Sequence, residues 1–143
     1  MYSKVYTDGL PEEARKIREN VFIREQGFQN EFDHVDKEAV HIVVYRDEKQ
    51  PVATCRVFWD KGMQSYVLGR LAVCKECRGM KLGAAAAKEA EQYVREKGGC
   101  QVMLHAQCRV CSFYEKLGFV MEGEPDEDEG CPHIWMKKVL LDH

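Results

Sequence analysis

Nothing in the 143 residues approaches 18 consecutive apolar side chains, the length a membrane-crossing helix needs. The opening MYSKVYTDGLPEEARKIREN has no apolar stretch preceded by positive charge, so no secretory leader is expected and the chain is expected to be soluble and cytoplasmic. An excess of basic charge is missing too. Lys and Arg number 21 against 24 Asp and Glu, a formal net charge of −3, and the two signs are interspersed rather than gathered into the basic stripe of a nucleic-acid module. No internal repeat or linker divides the sequence. Its length suits one domain, residues 1–143, around one core.

An even cysteine count is also lacking. Seven cysteines leave one over from any closed disulfide framework, and a cytosolic chain keeps its thiols reduced. Cys74-x-x-Cys77 and Cys108-x-x-Cys111 have the inner spacing of zinc ligands, but 30 residues and a whole predicted helix separate the pairs, against about 15–20 in ribbon-type sites. No metal is expected, and the cysteines read as small buried hydrophobes.

Two common phosphate-binding signatures are absent as well. Gly79-x-x-x-Gly83 is followed by four alanines, so the GK[ST] of a Walker loop is missing, and no GxGxxG with a later acidic ribose contact occurs. What is present runs from Tyr66 to Gly99 and reads as strand, turn and helix. Val67, Leu68, Leu71, Ala72 and Val73 form an aliphatic run, CKECRGMKLG switches to charge and glycine, and an alanine-rich helical pattern follows over 82–97. Helix-start N–H groups lack internal partners and carry about half a positive charge from the macrodipole, so Gly79, Leu82, Gly83 and Ala84 suit an anion, with Arg78 and Lys81 adding full charges.

Elsewhere the chain predicts a strand over 2–7 and a helix over 11–26 stopped by Gly27. Strands follow over 41–45, 52–59, 66–73 and 101–105, then an acidic loop over 122–130 and a final strand over 133–141. The first three of those four form an antiparallel meander, and the strand–helix–strand crossover after it demands a parallel pair. The acidic stretch 28–41 reads either as a solvated loop or short helix, or as a substrate-facing loop whose Glu31, Asp33 and Asp36 attract cations.

Arg78-Gly79-Met80-Lys81-Leu82-Gly83-Ala84 resembles the pyrophosphate loop of the GNAT superfamily of N-acetyltransferases, with Lys81 in place of the middle glycine. Phe113-Tyr114-Glu115-Lys116-Leu117-Gly118-Phe119 is similar to the helix end that follows in that family, and Gln107, seven residues before Tyr114, stands where many members carry Asn. Arg18, Val21, Phe22, Glu25-Gln26, Asp36, His41 and Gly130-Cys131-Pro132-His133-Ile134-x-Met136 look like the small bacterial ElaA-like subgroup. The resemblance implies a mixed-sheet α/β (α+β) fold of six to seven strands and three to four helices. It implies acetyl-CoA as co-substrate, held by the backbone of Leu71, Ala72 and Val73, by residues 78–84 including Met80, and by Gln107. It further implies a small-molecule or peptide amine as acceptor, direct attack, and Tyr114 as the acid that protonates the CoA thiolate. A non-catalytic acyl-CoA-binding module on the same fold is the alternative. The base is left open among His105, Glu31, Asp33, His41 and water, and so is a homodimer.

Overall fold

The computed structural model describes residues 1–140, so the predicted last strand residue, Leu141, lies outside the described residues. Seven strands form one sheet in the order β1-β2-β3-β4-β5-β7-β6: β1 Tyr2–Tyr6, β2 Val40–Tyr45, β3 Pro51–Asp60, β4 Ser65–Val73, β5 Gln101–Gln107, β6 Val120–Asp128 and β7 Cys131–Val139. Only β4 and β5 run parallel; every other neighbouring pair is antiparallel. The helices are α1 Glu12–Arg18, α2 Val35–Glu38, α3 Leu82–Glu96 and α4 Cys111–Lys116.

The alanines of α3 explain how the main core closes. Ala86, Ala87 and Ala90 project no long side chain, so α3 lies close against Ile42, Cys55, Val57, Leu68, Val102 and Leu104 on one sheet face. The opposite face is covered by α1 and the turn after it, through Ile17, Val21 and Phe22 against Ala72. Covered on both sides, β2 is buried at all six positions, which is why its sequence is a continuous apolar run apart from His41 rather than an alternation.

Two elements differ from the sequence expectation. The helix predicted over 11–26 changes at Glu19 into a π-helix to Glu25, with Gln26 N–H donating to Val21 C=O at 3.1 Å and Phe28 N–H to Phe22 C=O at 2.8 Å. This wider turn keeps Val21 and Phe22 buried while bringing Glu25 and Gln26 to a cleft wall. The predicted acidic loop over 122–130 is mostly strand: β6 is an edge strand exposed along its length, held by main-chain pairing to β7 rather than by propensity. A register shift between Glu122 and Asp126 accommodates Gly123 and Pro125.

The feature that positions the site is a break in the sheet. Pairing of β4 with β5 ends at Leu68↔Leu104, while β4 continues along β3 to Val73 and β5 along β7 to Gln107. Between Thr54↔Ala72 and Arg56↔Gly69, one β3 residue faces two of β4, with Arg70 left-handed at φ 53°. That bulge bends β4 away from β5 and leaves the edge from Gly69 to Val73 without a strand partner on its β5 side.

Candidate active site

A cleft of about 550 Å³ opens along this edge to the start of α3. The first i→i−4 bond of α3 runs from Ala85 N–H to Lys81 C=O at 3.1 Å, so the N–H groups of Leu82, Gly83 and Ala84 have no helical partner. Lys81, at the cap with φ 61°, supplies no side-chain acceptor to them. A Cβ on Gly83 would stand 3.2 Å from Phe113 Cζ and 3.5 Å from Val73 Cγ2, so the helix start is packed tightly here. Leu71, Ala72, Val73, Arg78, Gly79, Lys81, Leu82, Gly83 and Ala84 all line the cleft.

Met80 departs from the expected set. Its side chain is 53% exposed and turned to Arg46, whose Nη2 donates to Met80 Sδ at 3.3 Å, so only its backbone is left for a ligand. Arg78 is at the cleft but already engaged: its guanidinium grips the Glu25 carboxylate at 2.5 and 2.7 Å and also donates to Val73 C=O. The hydrogen bond to Glu25 raises the Arg78 pKa, and the same bond lowers that of Glu25. At Arg78 an incoming anion therefore meets a salt bridge rather than a free cation, whereas Lys81 also lines the cleft.

A second cavity, about 290 Å³, fills the gap between β4 and β5, with Leu68 to Leu71 on one side and Leu104 to Gln107 on the other. Tyr114 lines both cavities. Its ring is fixed edge-on to Phe113 at 5.0 Å and to Phe119 at 6.0 Å, and no hydrogen bond to its hydroxyl is found among the described residues. Burial pushes its phenol above the ordinary range, so it stays protonated at neutral pH and can only be a proton or hydrogen-bond donor to a developing anion. Gln107 lies at the second cavity, not in the α3 cleft, and its amide is tied to Gln26 at 2.9 Å and Arg109 at 3.0 Å.

The family described as the acetyltransferase (GNAT) domain matches residues 7–140. YyaT of Bacillus subtilis (strain 168) is 34% identical over 142 residues, covering 96% of this chain and 94% of that protein. The chain belongs to the GNAT acetyltransferase family. The crystal structure of Escherichia coli ElaA resembles this GNAT domain with a TM-score of 0.82 and 26% identity, over 96% of this chain and 98% of that one. An aminoglycoside 6'-N-acetyltransferase crystallised with coenzyme A shares the fold, with a TM-score of 0.77 and 16% identity over 100% of this chain and 99% of that one.

The GNAT domain does not leave Glu31, Asp33 and Asp36 of its 28–41 segment free, which corrects their reading as a cation-attracting loop. Arg18 Nε donates to Glu31 at 2.7 Å, and its two Nη atoms grip Asp36 at 2.7 and 3.1 Å. Arg56 bonds Asp33 at 2.7 Å and Asp36 at 2.9 Å, while Arg70 pairs with Glu31 at 3.1 Å and Asp33 at 3.4 Å. Three carboxylates thus neutralise three guanidiniums. Burial pushes Asp36 up, but the hydrogen bonds and charges of Arg18 and Arg56 outweigh it and hold the carboxyl at about 2. Of the other candidate bases, His41 is fully buried, donates Nε2–H to Asp36 C=O at 2.9 Å, and is driven toward its neutral form by burial; its Nδ1 is sealed from solvent. His105 alone of the named histidines lines a cavity. His133 and Glu129, which carry no predicted role, line the same cavity; the Gly130–Met136 motif is the sequence signal for His133, and the acidic stretch 122–130 that for Glu129.

No group of three His, Cys, Asp or Glu side chains placed to hold a metal ion is found among the described residues. All seven cysteines are free.

Proposed function

We propose that this GNAT domain is an N-acetyltransferase that moves the acetyl group of acetyl-CoA to an amine of a small molecule or peptide. The observation that carries the reading is the position of Tyr114, in the wall shared by the two cavities, with an unpartnered hydroxyl. A module that only bound acyl-CoA would need no donor there. The aminoglycoside acetyltransferase of the same fold, with coenzyme A bound, adds support.

The residues match what the co-substrate requires. The unpartnered N–H groups of Leu82, Gly83 and Ala84 take the pyrophosphate at the positive end of α3. The free edge of β4 at Leu71, Ala72 and Val73 receives the amide-bearing arm as an added strand would, and presents an N–H toward the thioester carbonyl, where negative charge develops during attack. The amine enters from the second cavity, attacks the carbonyl carbon directly, and Tyr114 O–H supplies the proton to the departing sulfur. Gln107, in the wall of the second cavity, orients the end of the arm that reaches it.

Incubating the purified protein with acetyl-CoA and a panel of alkylamines, polyamines, aminosugars and peptides tests the reading. Amine-dependent thiol release matched by an acetylated amine in the mass spectrum is expected. Coenzyme A binding without release for any amine would favour the binding module. A related expectation concerns Gly83→Val: the new side chain runs into Phe113 and Val73, so CoA affinity should fall at least about tenfold, or about 1.4 kcal/mol. Calorimetry on the folded variant checks it, and unchanged affinity would remove the pyrophosphate from the α3 start.

A further inference from the structure

The register of β5, β7 and β6 builds a stack of rings on the sheet face away from α3. Gln107 pairs with His133, His105 with Trp135, and Asp126 with His133, so His105, His133, Trp135 and Asp126 project from one face. His105 lies between His133 and Trp135, with ring centroids 4.8 Å from each. Phe28 meets the edge of His133 at 6.5 Å.

The hydrogen bonds fix how these rings carry protons. His133 Nδ1 is 2.8 Å from Cys131 C=O; a carbonyl only accepts, so Nδ1 holds the proton and Nε2 of the neutral ring holds the lone pair. His133 is 6% exposed, yet Nε2 has no partner among the described residues and is not sealed off, for the residue lines the cavity between β4 and β5. A nearly buried imidazole with an unused acceptor thus lines the same cavity as Tyr114. His105 Nε2 donates to Asp126 Oδ1 at 2.7 Å, which holds the second ring in place against the first.

We propose that His133 is the catalytic base of the transfer, taking the proton of the incoming ammonium at Nε2, and that His105, tied to Asp126, is its positioning residue. The inference rests on the acetyltransferase reading above. The rival groups are already committed: Glu31 and Asp33 to arginines, His41 to Asp36 C=O. Proton bookkeeping closes. An ammonium N–H bond breaks as His133 Nε2–H forms, the freed lone pair attacks the acetyl carbon, the C–S bond breaks, and sulfur takes the Tyr114 proton. The second nitrogen proton restores Tyr114, and His133 releases its proton to water.

The charged surroundings suit a cation formed there. From β5 comes His105, from β6 Asp126 and Asp128, and from the turn Glu129, whose carboxylate accepts from Gln29 and Asn30 N–H at 3.0 and 3.2 Å. Across the cavity Arg70 is neutralised by Glu31, and Arg109 is bonded to Gln107.

His133→Asn tests the assignment, because an Asn amide can still donate to Cys131 C=O but cannot take the proton. With the co-substrate saturating, kcat/KM is measured for an alkylamine, protonated at assay pH, and for hydroxylamine, which is not. The expected loss is about 10²–10⁴-fold for the alkylamine and less than about tenfold for hydroxylamine. The acidic limb of the wild-type alkylamine profile should also disappear. Equal losses for both acceptors with CoA affinity intact would make His133 structural, and an unchanged profile would place the base elsewhere. Should the variant not fold, Asp126→Asn on the exposed edge strand is expected to lower the alkylamine rate while sparing hydroxylamine; an unchanged ratio overturns the proposal. Wild-type protein that transfers to no amine would overturn the parent reading, and this assignment with it.

Discussion

Tyr114→Phe is expected to retain CoA affinity and to lose about 10²–10⁴-fold in kcat, the usual extent of general-acid assistance. The variant keeps the ring, and with it the edge-on contacts to Phe113 and Phe119 that fix the end of α4, so folding is not in question. What it removes is a hydroxyl in the wall shared by the two cavities, beside the Gln26 and Arg109 side chains that also line both. Burial holds the phenol above its ordinary range, which makes it a weaker acid than a free tyrosine. In the proposed mechanism its contribution would therefore be a hydrogen bond that strengthens as charge gathers on sulfur, with transfer following C–S cleavage. Steady-state kinetics beside calorimetry separate the outcomes: parallel loss of binding and turnover would mean a packing tyrosine, and full turnover would dismiss the acid role.

Asp36→Asn is expected to be strongly destabilising, by about 3–5 kcal/mol, since it breaks buried ion pairs while leaving their cations in place. Arg18 is 1% exposed and Arg56 5%, and Asp36 is the carboxylate they share, at 2.7 and 2.9 Å. For a domain of this size the melting temperature should fall by roughly 10–20 °C. The same group sets an acid limit. Its folded value of about 2 lies below the ordinary 3.8, so its stabilisation is complete above the ordinary value and is lost as pH falls through about 2. Glu31 acts in the opposite sense. Burial raises its carboxyl above the ordinary 4.5 despite Arg70, Arg18 and Arg56, so its ionisation withdraws stability as pH rises, and Glu31→Gln should be the milder replacement. Thermal melts of both variants at neutral pH decide this; a larger loss for Glu31→Gln would reverse the account of the network.

The sequence made the local parts of this structure legible. An aliphatic run, a glycine-punctuated turn and an alanine-rich helix read directly as β4, loop and α3, with observed helix bounds of Leu82–Glu96 one residue from expectation, because periodicity and caps are short-range properties. The parallel β4–β5 pair followed from the crossover, and the aromatic segment at 113–119 marked Tyr114. What stayed hidden depends on partners far along the chain. Arg78 looked like a free phosphate ligand because Glu25, which it grips, is 53 residues away. The acids at 31, 33 and 36 looked solvated because Arg18, Arg56 and Arg70 come from three different elements. The π-helix at Glu19–Glu25 leaves the apolar spacing almost unchanged, so periodicity reads it as ordinary helix. His133 enters the sequence reading only within the Gly130–Met136 motif, since its proposed role depends on the β5–β7 register that places it beside His105.

The central claim is that coenzyme A lies along the free edge of β4, with its pyrophosphate on the first N–H groups of α3 and its sulfur at Tyr114. Titrating ¹⁵N-labelled protein with CoA and following amide shifts tests it most directly. The account predicts that Leu82, Gly83 and Ala84 shift most, with Leu71 to Val73 and Tyr114 moving on the same saturation curve. Saturable shifts centred elsewhere, with residues 82–84 unmoved, would contradict it.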